Sequence, residues 1–73
     1  IGGYSPFLVV VENGHEEIVK IMMNDNRINV NQEKDGGETP FFISCLEGHL
    51  EIVKLLMNDQ RVQVNKSTND GYT

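Results

Sequence analysis

The chain holds one cysteine and two histidines, and the pair with the most obvious chemistry is Cys45 and His49. A thiol beside an imidazole is the core of a nucleophilic hydrolase: the ring takes the proton and the thiolate attacks. Gly48 separates the two, however, and no third group stands where it could orient the ring. Cys45 therefore reads as a small buried core residue, and no catalytic residue is assigned. His15 and His49 could be taken for a metal pair. They occupy one position in two similar segments, with no second cysteine or paired acids at ligand spacing, and read as structural residues at a turn.

Other motifs fail on similar grounds. Gly2-Gly3 and Gly36-Gly37 lack the Lys-Ser/Thr and the preceding strand of a phosphate loop. The polar segment 25–35 lacks the acidic spacing and central glycine of a calcium loop. Asn65-Lys66-Ser67 has the form of an N-glycosylation acceptor, which matters only in a secreted chain. Met22, Met23 and Met57 are expected to fill core gaps. No cofactor and no metal is expected.

Charge narrows the choice of partner. Eleven acidic residues against six Lys and Arg leave a net charge of −5 over 73 residues. A nucleic-acid binder needs a basic face to displace counterions from phosphate, so no nucleic-acid partner is expected. The longest apolar run, 7–11, is too short to cross a bilayer, and no membrane association is expected. A lone cysteine allows no internal disulfide, which fits a reducing compartment and an intracellular, cytoplasmic or nuclear location. The opening residues 1–6 lack the basic and apolar regions of a signal peptide. The chain starts without methionine and stops at Thr73, and is expected to be a piece of a longer protein.

What positions these residues is an internal repeat. Pro6 and Pro40, Gly14 and Gly48, His15 and His49, Ile18 and Ile52, Val19 and Val53, and Lys20 and Lys54 all lie 34 residues apart. The same offset joins Met23-Asn24-Asp25 to Met57-Asn58-Asp59, Arg27 to Arg61, and Val30-Asn31 to Val64-Asn65. Gly3, Gly37 and Gly71 line up, as do Ser5, Thr39 and Thr73. The expected organisation is one fragment, 1–73, with repeat one at 2–35, repeat two at 36–69 and the start of a third at 70–73.

Each unit has a physical reading. Ser5 and Thr39 precede a proline, which suits a capping hydroxyl followed by Pro at the first helical position. An apolar segment runs from there to Gly14 or Gly48, the residue best able to take a left-handed, helix-ending conformation. A second helix starts near His15 or His49, with Glu16, Glu17 and Glu51 in its first turn, where the helix dipole favours negative charge. Ile18, Val19, Ile21 and Met22 predict its buried face, and Ile52, Val53, Leu55 and Leu56 repeat it. Asn24-Asp25 and Asn58-Asp59 end it. The pattern predicts helices near 6–13, 15–24, 40–47 and 49–58, followed by polar turns at 31–37 and 65–71. One local signal points elsewhere: 7–11 and 41–44 are β-branched and aromatic, which on propensity alone reads as strand. On the residues alone, a β-α alternation stays open.

The run Gly37-Glu38-Thr39-Pro40-Phe41, with Glu47-Gly48-His49-Leu50-Glu51-Ile52-Val53-Lys54-Leu55-Leu56 behind it, resembles the ankyrin repeat. Its pattern is roughly Asp-Gly-x-Thr-Pro-Leu-His, then Gly-His-x-x-Ile/Val-Val-x-x-Leu-Leu, then Val-Asn. Gly3-Tyr4-Ser5-Pro6-Phe7 and Gly14-His15-Glu16-Glu17-Ile18-Val19 match less closely, and Val30-Asn31 and Val64-Asn65 supply the ending. There are departures. Leu8 and Phe42 replace a histidine that links neighbouring turns, so apolar packing must stand in for it. Val10-Val11 and Ser44-Cys45 replace Ala-Ala, and the valines crowd the inner helix. The segments 26–29 and 60–63 are one residue longer than the family's, and the extra residue is expected in the loop after the outer helix. The resemblance implies an all-α solenoid of stacked helix-turn-helix units with β-turn fingers.

It also implies a protein-interaction scaffold that grips its partner with the finger tips and the exposed side of the inner helices. Carried over position by position, the finger tips are Gly2 and Tyr4, then Asp35, Gly36 and Glu38, then Asn69, Asp70 and Tyr72. The inner-helix ends are Glu12, Asn13, Leu46 and Glu47. This set is acidic, with Tyr4 and Tyr72 as aromatic anchors, so the expected partner is a protein with a basic surface. The rival reading is a set of structural spacer repeats in a longer array whose partner binds elsewhere. Flanking repeats or self-association are expected in either case, because each unit buries its apolar face on a neighbour.

Overall fold

The computed structural model describes residues 5–66 and Thr68. Four helices follow one another: α1 (Pro6–Glu12), α2 (Glu16–Met23), α3 (Pro40–Leu46) and α4 (Leu50–Met57), with no strand among the described residues. The inner helices α1 and α3 pack together, the outer helices α2 and α4 do the same, and each inner helix packs on the outer helix that follows it. Residues 7–11 and 41–44 are helical despite their strand-like composition. Capping at both ends and burial between layers outweigh a local preference that is itself a weak prior.

The caps explain the boundaries. The Ser5 hydroxyl accepts a hydrogen bond from the Leu8 amide at 3.2 Å, and that of Thr39 accepts from Phe42 at 3.1 Å, each with proline as the next residue. At the far end Gly14 and Gly48 take φ of 77° and 72°. His15 N donates to Val10 O at 3.0 Å and Gly14 N to Val11 O at 3.1 Å, and the second copy repeats this pair at His49 and Gly48. This double closure satisfies carbonyls that a helix end leaves open, and it needs a left-handed residue.

The core is made of Phe7, Leu8, Val11, Val19, Val30, Ile43, Ile52, Leu56 and Val62, with Phe41, Phe42, Met22 and Met23 packed against it. Leu8 and Phe42 thus pack apolar surface where the family carries its linking histidine, and the bulky Val11 is fully buried without disturbing α1.

Three expectations need correction, and the first is that Met57 fills a core gap: it is exposed, although its counterpart Met23 is half-buried against the core. Ile18 and Ile21 were assigned to the buried face of α2, but both are exposed, whereas Ile52, the counterpart of Ile18, is buried. Cys45 was expected in the core and is exposed, although its counterpart Val11 is fully buried. The cause is the same in each case. A position that faces a neighbouring repeat is covered only where that repeat is present, so burial follows place in the stack as well as helical phase.

Candidate functional site

Polar links join the two repeats and fix how their helices sit against each other. The His49 ring Nε2 lies 2.8 Å from the Glu12 carbonyl oxygen. A carbonyl only accepts, so Nε2 carries the proton and donates it. The ring sits against Gly14, where a Cβ would come within 2.9 Å of Cε1. Lower in the stack, Arg61 Nη2 donates to Met23 O at 2.8 Å. Asn31 works in both directions: its Nδ2 donates to Arg61 O at 2.7 Å and its Oδ1 accepts from the Gln63 amide at 2.9 Å. Sequence reasoning placed His49 at a structural turn but missed the roles of Asn31 and Arg61. The available signal was that Asn31, Arg27 and His15 all recur at the repeat offset, as structural residues do.

The outer face is electrostatically closed within each repeat. Lys20 lies 3.5 Å from Glu16 and 3.3 Å from Glu17, and Lys54 lies 3.5 Å from Glu51. In the loops, Arg27 pairs with Asp25 at 2.7 Å and Arg61 with Asp59 at 2.6 Å. Each aspartate Oδ1 also accepts the amide of its own arginine at 2.9 Å, an Asx-type turn that absorbs the longer loop. Hydrogen bonds from Arg27 and Arg61 hold the Asp25 and Asp59 carboxyls below the ordinary carboxylate range. The hydrogen bond to Glu17 raises the Lys20 ammonium above its usual value. Lys66 pairs with Glu33 at 2.9 Å across the two loops.

The expected site residues fall into two groups at opposite ends of the inner helices. Asp35, Gly36 and Glu38 lie in the turn before α3, closed by Lys34 N donating to Glu38 O at 3.0 Å and Gly37 N donating to Lys34 O at 2.9 Å. Asp35 and Gly36 are exposed. The Glu38 carboxylate folds over Gly36, where a Cβ would come within 2.7 Å of Oε1, and Oε1 is buried with no hydrogen-bond partner among the described residues. Glu12 and Asn13 end α1, and Leu46 and Glu47 end α3. Asn13, Leu46 and Glu47 are exposed and Glu12 is half-buried. The length of α3, roughly 10 Å, separates the groups. Tyr4, Asp70 and Tyr72, with Gly2 and Asn69, lie outside the described residues.

The imidazole of His49 is engaged with the neighbouring repeat, and Cys45 faces outward at the end of the stack. No group of three or more His, Cys, Asp or Glu side chains among the described residues is gathered to hold a metal. No helix among them is long and apolar enough to cross a membrane. A depression of about 540 Å³ between α2 and α4, lined by Lys20, Met23, Asn24, Leu55, Asn58, Asp59 and Gln60, is wide and open to solvent. A family model described as ankyrin repeats (3 copies) matches residues 2–73. No curated protein matches the chain at a significant level.

Proposed function

The chain belongs to the ankyrin repeat family, and from that premise we propose that it presents the finger turns and inner-helix ends to a protein with a basic surface. Repeats of this family are in general protein-interaction modules. The residues proposed to meet the partner are Tyr4, Glu12, Asn13, Asp35, Gly36, Glu38, Leu46, Glu47, Asp70 and Tyr72. No catalytic residue, cofactor or nucleic acid enters this reading, and it suits an intracellular, reducing compartment.

The observation that carries it is the division of charge. Lys20, Arg27, Lys54, Arg61 and Lys66 are each paired with a carboxylate close at hand. Those pairs nearly neutralise the outer face and the loops. The proposed binding set holds five acids, Glu12, Asp35, Glu38, Glu47 and Asp70, and Lys34 is the sixth cation of the chain. Most of the net charge of −5 therefore belongs to the proposed binding set. Rim charges of this kind steer encounter more than they hold the complex. The Glu38 Oε1 without a partner adds an acceptor that an incoming Lys or Arg could satisfy.

Charge reversal tests the reading on a captured protein partner. Glu38→Lys with Glu47→Lys should slow association, most at low ionic strength, where screening is weakest. Lys20→Glu with Lys54→Glu should leave the rate within about twofold. Tyr72→Ala should speed dissociation if the ring is a buried anchor. The opposite ranking of the two reversals would move the site to the outer helices. Indifference to all three would favour the spacer reading.

A further inference from the structure

Of the asparagines in the chain, only Asn13 is followed by glycine. Such a pair can react with itself, because glycine has no side chain to block attack of its main-chain nitrogen on the neighbouring carboxamide. Asn13 caps the end of α1 and is exposed, and Glu47 at the matching position of repeat two is exposed as well. The first has a repeat after it and the second a repeat before it, so neither neighbour covers this position. Gly14, which carries the attacking nitrogen, is held in three ways. Its φ is 77°, its N–H donates to Val11 O at 3.1 Å, and the His49 ring of repeat two lies against it. That ring is itself fixed by its hydrogen bond to Glu12 O at 2.8 Å. Ring closure needs Gly14 N to swing beneath the Asn13 Cβ, whereas the Asn13 ψ of −4° sets it beside that residue's own nitrogen. The bond to Val11 must therefore break before the reaction can start.

We propose that Asn13–Gly14 is a site of spontaneous deamidation, held in check by the closed turn and by His49 of the next repeat. The step balances with water alone. Gly14 N gives up its proton and bonds to Asn13 Cγ, and Nδ2 leaves as ammonia, closing a cyclic imide. Water then opens the imide at either carbonyl. One product has an aspartate in place of the amide; in the other the main chain runs through Cβ and Cγ. Nothing is oxidised or reduced. Either product carries a new carboxylate at the C-terminal end of α1, where the helix dipole disfavours negative charge. The second product also lengthens the main chain by an atom inside a turn closed by two hydrogen bonds, His15 N to Val10 O and Gly14 N to Val11 O. That closure depends on the exact run of residues from the helix end. The altered turn cannot close as before, and the joint that His49 makes with repeat one is loosened for good.

Ageing the whole chain in mildly alkaline buffer, with amide loss located by peptide mass spectrometry, reads the site directly. Loss at Asn13 should outrun that at every other asparagine, and urea should speed it by opening the turn. His49→Ala should speed it about tenfold in buffer, the weight of one hydrogen bond and its packing, and leave it unchanged in urea. Thr39→Ala removes the cap of α3, away from that turn. If the opening is local, this change should move the rate by no more than about twofold. Aged chain should melt below fresh chain, and aged Asn13→Gln should not, since the longer side chain closes its ring far more slowly. The proposal is overturned if Asn13 keeps its amide while other asparagines lose theirs, or if loss is as fast in buffer as in urea. Equal acceleration by His49→Ala and Thr39→Ala would overturn it too.

Discussion

Two identical side chains do different work here according to whether a neighbouring repeat stands beside them. His49 donates to Glu12 O, whereas His15 caps α2 with no side-chain hydrogen bond to its helix. In monomeric chain, His49→Ala should cost about 1–2 kcal/mol, from the lost hydrogen bond and the void beside Gly14. His15→Ala should fall within about 0.5 kcal/mol, as exposed changes do. Urea unfolding of both variants checks the difference, and equal costs would show that His49 acts only as a turn residue. The aspartates give a pH dependence. Asp25 and Asp59 titrate below the ordinary carboxylate value in the folded chain. Their contribution is therefore present above about pH 4 and is lost as pH falls through the lowered folded values. Both pairs are exposed, so screening keeps the effect small. Asp59→Asn should flatten the acid limb of stability against pH, measured by thermal unfolding at a series of pH values. At this scale the recurrence of His15, Arg27 and Asn31 was legible in the sequence. Their direction was not, because only the stacked repeats show which side chain reaches back and which reaches forward.

Helix ends carry the largest local effects in units this short. Thr39 is buried and its hydroxyl caps α3, so Thr39→Ala should cost about 1–2 kcal/mol. The half-buried Ser5 should cost less on the same change. Gly14 and Gly48 offer a cleaner comparison. Both hold a left-handed φ, so alanine at either position should lose about 1 kcal/mol from backbone strain. At Gly14 the new methyl would also strike the His49 ring, while at Gly48 it would meet nothing. Gly14→Ala should therefore be the more damaging by a further ~1 kcal/mol or more, as an overpacked site is. Equal losses in chemical denaturation would mean that the ring moves aside freely. Ser5-Pro6, Thr39-Pro40 and the two glycines marked the helix ends in the sequence because capping is local chemistry. The buried face of α2 was misread at Ile18 and Ile21 because a repeat helix packs on two sides, and periodicity within one helix does not say which neighbour is there.

For the whole molecule, the two end faces limit stability. Two repeats share one interface and leave apolar residues uncovered at each end, while a chain of 73 residues buries a modest core. Unfolding of the 73-residue chain should therefore require less than about 5 kcal/mol. A concentration-independent transition above that value would show that the core suffices alone. The proposed function rests on a different property of the whole, the placing of acids on the finger and inner-helix side, away from the cations that the outer helices and loops pair with their own carboxylates. Carbodiimide labelling of carboxylates, read by mass spectrometry with and without a bound protein partner, tests it most directly. The account predicts that Asp35, Glu38 and Glu47 become protected while Glu17 and Glu51 on the outer helices label as before. Protection of Glu17 and Glu51, with Glu38 and Glu47 still fully reactive, would contradict it.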